Sequence, residues 1–224
     1  MSSVSNSGIM KSFRLLLQNI PLFAGLSSEQ LDRIDRMAVL RQIQRHKAIV
    51  YAGAETDALY IIVSGSAKVQ NRDQDGREVI LSVLEAGECF GEMGLIDGAA
   101  RSADVVANET CELLVIPKAD FMRALSESTD LCLNIMKSLV LRLREANQKI
   151  EGLALMDVYG RVAKLLLEYS EKEDDIRVVR RKLTKMDMSK MVGASREMVS
   201  RVMKDLEQRG FIRVEKGYIV INKD

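Results

Sequence analysis

Apolar residues recur along this chain in three rhythms, and each change of rhythm marks a change of structure. Over residues 11–40 the spacing of Leu31, Ile34 and Met37, preceded by Ser27 and Ser28 as N-cap candidates, predicts short packing helices. From about residue 41 to 116 the pattern shifts to short β-rich runs punctuated by glycine. The spans 58–63, 67–71, 78–84, 103–107 and 113–116 read as strands. Between the second and third of these, Asp75-Gly76 predicts a hairpin, because a tight primed turn needs a positive φ that glycine tolerates. Short strands in this number and spacing predict an antiparallel sandwich or jelly roll.

Beyond Pro117 the period becomes helical. Cys132, Met136, Leu139, Leu143, Ala146, Ile150 and Leu153 follow one another in steps of four and three, a heptad seam. Such a seam suits a two-stranded coiled coil and equally a helix packed on its own domain. A bend is expected near Asp157, then an apolar helix carrying Val162, Leu165, Leu166 and Tyr169, and then an exposed charged loop over residues 171–175. The implied division is residues 1–130 for a β-rich domain, 131–156 for a long helix, and 157–224 for a second domain, an α+β class overall.

The last segment carries the most specific local pattern. Thr184 followed by Asp187 predicts a capped helix start. Val192-Gly193-Ala194 then forms a turn, and Ser195 is placed to cap a second helix whose apolar face is Val199, Val202, Met203 and Leu206. The opposite face holds Arg196, Glu197, Ser200, Arg201 and Lys204. Arginine can read guanine bidentately, and glutamate can accept from the cytosine amino group. A carboxylate in so basic a face would repel phosphate, which favours base reading. The alternative is an i, i+4 ion pair between Glu197 and Arg201, which would stabilise the helix by only a few tenths of a kcal/mol. After Gly210, two short runs flanking Glu215-Lys216-Gly217 predict a hairpin, making the module a winged helix-turn-helix. Thr184, Ser195, Arg196, Glu197, Ser200, Arg201 and Lys204 are the candidate DNA contacts.

Charge sharpens this picture. The chain of 224 residues has a net charge of only +1, yet residues 177–216 hold twelve Lys or Arg against five Asp or Glu. Trp is absent and aromatics are few, which argues against a stacking groove for single strands. No apolar run approaches the roughly 20 residues that cross a bilayer, and no secretory h-region opens the chain, so a cytoplasmic protein is expected. Cys89, Cys111 and Cys132 are odd in number and widely spaced, and His46 is the only histidine. Neither a disulfide framework nor a metal or iron-sulfur site is expected.

Two segments, FGEMGLIDGAARSA and GASREMVSRVMKDLEQRG, in this order and separated by the heptad helix, closely resemble the CRP/FNR family of bacterial transcription regulators over most of the chain. The resemblance implies an amino-terminal cyclic-nucleotide-binding jelly roll, a parallel dimer about the long helix and a winged helix-turn-helix. It gives Arg196, Glu197 and Arg201 the role of reading base edges in each half of a palindromic double-stranded site, and implies RNA polymerase as a partner. The stretch from Gly87 to Gly94, with Arg101 and Ser102, is similar to the phosphate-binding cassette of cyclic-nucleotide domains. Its chemistry is intelligible in itself: close glycines let amides approach an anion, Arg101 can pair with a phosphate, and Ser102 can donate to it. Glu92 would then accept from a sugar hydroxyl, as the matching glutamate does in the family; the alternative is a loop-stabilising ion pair with Arg101. On this view Arg101 lacks its charged partner until ligand arrives, and its removal should leave the β-domain folded.

Ser82, Gly91, Glu92, Met93, Arg101 and Ser102 are thus candidate effector contacts, with Ala146 and Asn147 standing where cAMP-responsive relatives carry a Thr-Ser pair that holds adenine. Ala146 offers no hydroxyl, whereas Asn147 offers a donor and an acceptor. Cyclic AMP is the leading effector; cyclic GMP, a cyclic dinucleotide, or a pocket that has lost its ligand remain open. A nucleotide-binding module acting on a protein partner would leave the Arg196, Glu197, Arg201 face without a purpose. An enzyme is disfavoured because no nucleophile, base and orienting group stand together.

Overall fold

The computed structural model describes residues 13–174, 176–181, 183–215 and 217–222. The described chain divides into two compact bodies: residues up to Val69 with Val83–Val140, and Gln70–Ser82 with Leu141 onward.

The first body opens with helix α1 (Arg14–Gln18), a 3-10 turn (Pro21–Phe23) and α2 (Ser28–Met37). Ser27 caps α2 in a full capping box: its hydroxyl accepts from Gln30 N while the Gln30 side chain accepts from Ser27 N. The strands that follow are β1 (Val39–Ile43), β2 (Ala48–Val50), β3 (Ala58–Ser64), β4 (Ala67–Arg72), β5 (Glu78–Leu84), β6 (Cys89–Phe90), β7 (Asp104–Ala107) and β8 (Cys111–Pro117). They form two four-stranded sheets, ordered β1-β8-β3-β6 and β2-β7-β4-β5. The sequence pattern does not predict β1, β2 or β6, and its helical region takes in the start of β1. These strands are short, and Arg41 and Gln42 interrupt the first of them, so no apolar rhythm announces them. Their register comes from backbone pairing, as in Val39 opposite Val115 and Ile43 opposite Cys111.

Strands β3 and β8 pair antiparallel at the centre and are buried on both faces, which explains their near-continuous apolar sequences. Ala58, Tyr60 and Ile62 point into the cluster between the sheets with Val105, Leu113 and Val115. Leu59 and Ile61, one residue out of phase, face Phe23, Leu31, Phe121, Leu131 and Ile135 on the helices. The period of two thus lets one strand serve two cores, each buried aliphatic side chain stabilising by roughly 1.5–3 kcal/mol. The β4–β5 connection is wider than a two-residue turn. Asp73 Oδ1 accepts from the amides of Asp75 and Arg77, and Gly76 adopts φ 79°. Helix α3 (Glu92–Asp97) lies between β6 and β7, and after β8 the body ends in α4 (Lys118–Glu127) and the start of α5 (Thr129–Leu155).

The second body contains the rest of α5, then α6 (Val158–Glu168), β9 (Glu171–Glu173), β10 (Ile176–Val179), α7 (Lys185–Val192), α8 (Arg196–Gln208), β11 (Ile212–Glu215) and β12 (Tyr218–Ile221). The expected bend is a clean break: Asp157 caps α6 by accepting from Gly160 N at 2.8 Å. Of the segment expected to be a charged loop, Glu171–Glu173 instead form β9, paired with β10 in a sheet ordered β11-β12-β10-β9, Asp174 is a turn residue, and Asp175 lies outside the described residues. Lys216, in the turn between the last two strands, lies outside the described residues. Val162, Leu166, Met188, Val199 and Leu206 form one core with Val179 and Ile212. The outer half of the β4–β5 hairpin belongs to this body, where Glu78 accepts from both Arg72 and Lys190 of α7.

Candidate functional site

Two groups of side chains carry chemistry, one in each body. In the first, Arg101 is fixed by its backbone before its side chain does anything: its amide donates to Ala54 O at 2.9 Å and its carbonyl accepts from Gly53 N at 2.8 Å. The guanidinium turns inward, its side chain 4% exposed. Nη2 donates to Ala58 O at 2.8 Å and to Asp57 Oδ1 at 3.1 Å, and Nη1 donates to Gly91 O at 3.2 Å. The cation lies 5.4 Å from the centroid of Tyr60, whose ring stacks on Phe90 at 5.1 Å. Burial is the main influence that raises the Tyr60 hydroxyl pKa, reinforced by the Asp57 charge and opposed by Arg101.

The remaining nitrogen of the group, Arg101 Nε, is buried with no acceptor among the described residues. An orphan donor on a buried cation is what an anionic oxygen would satisfy, so the residues fit a phosphate group. The guanidinium is nevertheless already paired in the chain itself, against the expectation that it lacks a charged partner without ligand. That expectation missed Asp57, which β3 brings into contact from 44 positions away. Gly91, in the left-handed region at φ 90°, lies so close that a Cβ would fall 2.1 Å from Arg101 Nη1. Glu92 begins α3 and is buried; Met93 and Ser102 are exposed. Thr56 donates to Ala99 O at 3.0 Å and tethers the loop that follows α3.

Of the other effector candidates, Ser82 is half-buried on β5, and Ala146 and Asn147 are exposed on α5; all three belong to the second body. The heptad seam is largely uncovered in this chain. Met136, Leu143, Ile150 and Leu153 are exposed, Leu143 at 61% and Ile150 at 63%, while Leu139 packs against the first body's core.

In the second body, the helix pair forms as its capping residues dictate. Thr184 Oγ1 accepts from Asp187 N at 3.0 Å and donates to the Asp187 carboxylate at 2.7 Å. Gly193 closes α7 in the left-handed region at φ 64°, and Ser195 Oγ accepts from Met198 N at 3.1 Å to start α8. With Val199, Val202, Met203 and Leu206 buried, helical geometry turns Arg196, Glu197, Arg201 and Lys204 outward, and all four are exposed. No ion pair joins Glu197 to Arg201 among the described residues, which removes the simplest structural use for that glutamate. Ser200 accepts from Lys185 Nζ at 3.2 Å. Lys185 is not among the residues the sequence pattern singles out; its signal is its place directly after the Thr184 cap, within the basic segment.

Comparison with known proteins bears on both groups. Residues 40–128 match the cyclic nucleotide-binding domain family and residues 160–224 the Crp-like helix-turn-helix domain family. The chain is 33% identical over 200 residues to the cAMP-activated global transcriptional regulator Vfr of Pseudomonas aeruginosa, covering 86% of this chain and 94% of Vfr. It is 31% identical over 186 residues to the cAMP-activated global transcriptional regulator CRP of Haemophilus influenzae, covering 81% and 83%. Among solved structures, the c-di-GMP responsive global regulator CLP of Xanthomonas campestris matches with a TM-score of 0.75 and 25% identity, over 88% of this chain and 100% of that one. The two domain matches in this order, with relatives aligned along nearly their whole length, show that the chain belongs to the CRP/FNR family of transcription regulators.

Proposed function

We propose that the chain is a homodimeric, sequence-specific regulator that reads palindromic duplex DNA under the control of a cyclic nucleotide, with cAMP as first candidate. The observation that carries the DNA-binding role is the outer face of α8. Arg196, Glu197, Arg201 and Lys204 stand exposed on a helix whose start is capped and whose other face is locked in a core. A rigid helix presenting two arginines and a carboxylate suits base edges in a major groove, while Lys204 and Lys185 suit phosphates. Thr184 and Ser195, both spent on helix caps, contribute by holding that geometry, with Ser200 steadied by Lys185.

The exposed seam of α5 supports the dimer: Leu143 and Ile150 would leave water on pairing with the same stripe of a second copy. Two recognition helices held by such a dimer would engage half-sites about one DNA turn, roughly 34 Å, apart. The buried cation of Arg101, with its unsatisfied Nε, supports an anionic effector, and the cAMP-activated relatives favour cAMP. A cyclic dinucleotide is the second reading. Ala146 has no hydroxyl for an adenine, and the solved relative CLP is c-di-GMP responsive.

A mobility-shift assay on a palindromic DNA library, repeated at several salt concentrations with and without cAMP, cGMP and cyclic di-GMP, tests the whole reading. Selective, salt-sensitive binding enhanced by one nucleotide is expected. Binding without sequence preference would refute the recognition-helix role, and selection unaffected by every nucleotide would refute the effector role.

A further inference from the structure

A guanidinium grips a phosphate most strongly through two adjacent N–H groups, and Arg101 has no such pair free. Both protons of Nη2 are directed at Ala58 O and Asp57 Oδ1, and Nη1 is engaged by Gly91 O, leaving Nε as the one nitrogen without a partner. Something must let go before a bidentate grip forms. Two of the three acceptors cannot do so easily. Ala58 O belongs to β3, held by its pairing with β8, and Gly91 O is main chain on a glycine packed against the guanidinium itself. The Asp57 carboxylate differs from both. It is a side chain, 73% exposed, on the solvent side of a cation that is almost wholly buried, and it can rotate into water with little desolvation cost.

We propose that Asp57 is an internal counter-anion for the effector site: its carboxylate occupies Arg101 in the absence of ligand, and a phosphate must displace it to bind. This rests on the reading that Arg101 receives the effector's phosphate. Asp57 then sets the affinity of the site from inside the chain, neutralising the buried arginine when no ligand is present and opposing an incoming anion through both competition for Nη2 and like-charge repulsion. The ligand class selected is one whose phosphate can outcompete a carboxylate for the same donors, a compact monoanionic phosphodiester with its own further contacts.

The test is calorimetric titration of the 224-residue chain and its Asp57→Asn and Asp57→Ala variants with cAMP, cGMP and cyclic di-GMP. Thermal melts should be run in parallel to establish that each variant is folded. Removing the carboxylate should tighten binding of the recognised nucleotide by roughly threefold to tenfold in both variants, as expected for loss of one partly solvated repulsive charge. Equal or weaker binding by the folded variants overturns the counter-anion role alone. So does a gain confined to Asn, which would mark a new amide contact to ligand. Absence of binding by wild type and both variants overturns the effector reading and this proposal together.

Discussion

Gly91 and Arg101 leave no space between them: a Cβ on Gly91 would lie 2.1 Å from Arg101 Nη1 and 3.1 Å from Ala58 O. Because Gly91 also sits at φ 90°, alanine there meets backbone strain and steric overlap together. Gly91→Ala should lower stability by about 1–3 kcal/mol and displace Arg101. Urea unfolding measures the first, and loss of nucleotide binding in calorimetry measures the second.

Arg101→Leu should remove nucleotide binding and also destabilise the first body by about 1–3 kcal/mol, because Ala58 O and Gly91 O lose their charged donor in a buried setting. This departs from the expectation drawn from sequence, in which the arginine waits without a partner. A denaturant midpoint equal to that of wild type would show that the inward contacts contribute nothing.

On α8, Arg196→Ala or Arg201→Ala should weaken specific DNA binding by about 1–3 kcal/mol and relax base preference at one position per half-site. Lys204→Ala should instead weaken all sequences alike and flatten the salt dependence. A selection experiment on randomised half-sites separates the two outcomes, and unchanged preference in either arginine variant would remove it from the base-reading face.

The double variant Leu143→Asp, Ile150→Asp should be monomeric, since carboxylates buried across a seam cost far more than the exposed leucine and isoleucine they replace. Light scattering gives the mass directly. A dimer of undiminished stability would place the contact away from this stripe.

Glu78 supplies a pH dependence. Its hydrogen bond from Lys190, followed by that from Arg72, holds its carboxyl below the ordinary 4.5. A carboxyl depressed in the folded state contributes stability that is fully present above the unfolded value and is lost as pH falls through the folded one. Acid titration of stability below about pH 4.5 should therefore be shallower in Glu78→Gln than in wild type. Superimposable profiles would show that the contact is not held in solution.

What could be read beforehand divides along a physical line. The caps at Ser27, Thr184 and Ser195 and the buried face of α8 depend on residues within one turn of each other, and the sequence pattern placed them. The strands β3 and β8 announced themselves because both faces are apolar. Strand β9 did not. Glu171, Lys172 and Glu173 look like a loop because an edge strand carries charges and is held by backbone bonds to β10. The cassette showed the same split. The chemical types of Arg101, Glu92 and Gly91 were legible, whereas the inward turn of Arg101 was not, since it depends on Asp57 and Ala58 brought close by the topology of β3.

The stack of Arg101 on Tyr60 gives the protein an optical property. Tyr60 is buried against Phe90 with a cation 5.4 Å from its ring centroid, and the chain has no Trp to mask tyrosine absorption. A charge moving over an aromatic face perturbs that ring's electronic transitions. Whatever draws Arg101 away from Tyr60 should therefore write a difference band near 280 nm into the ultraviolet spectrum. Tyr169 and Tyr218 also lie beneath arginines, so loss of the band in Tyr60→Phe would assign it to this pair.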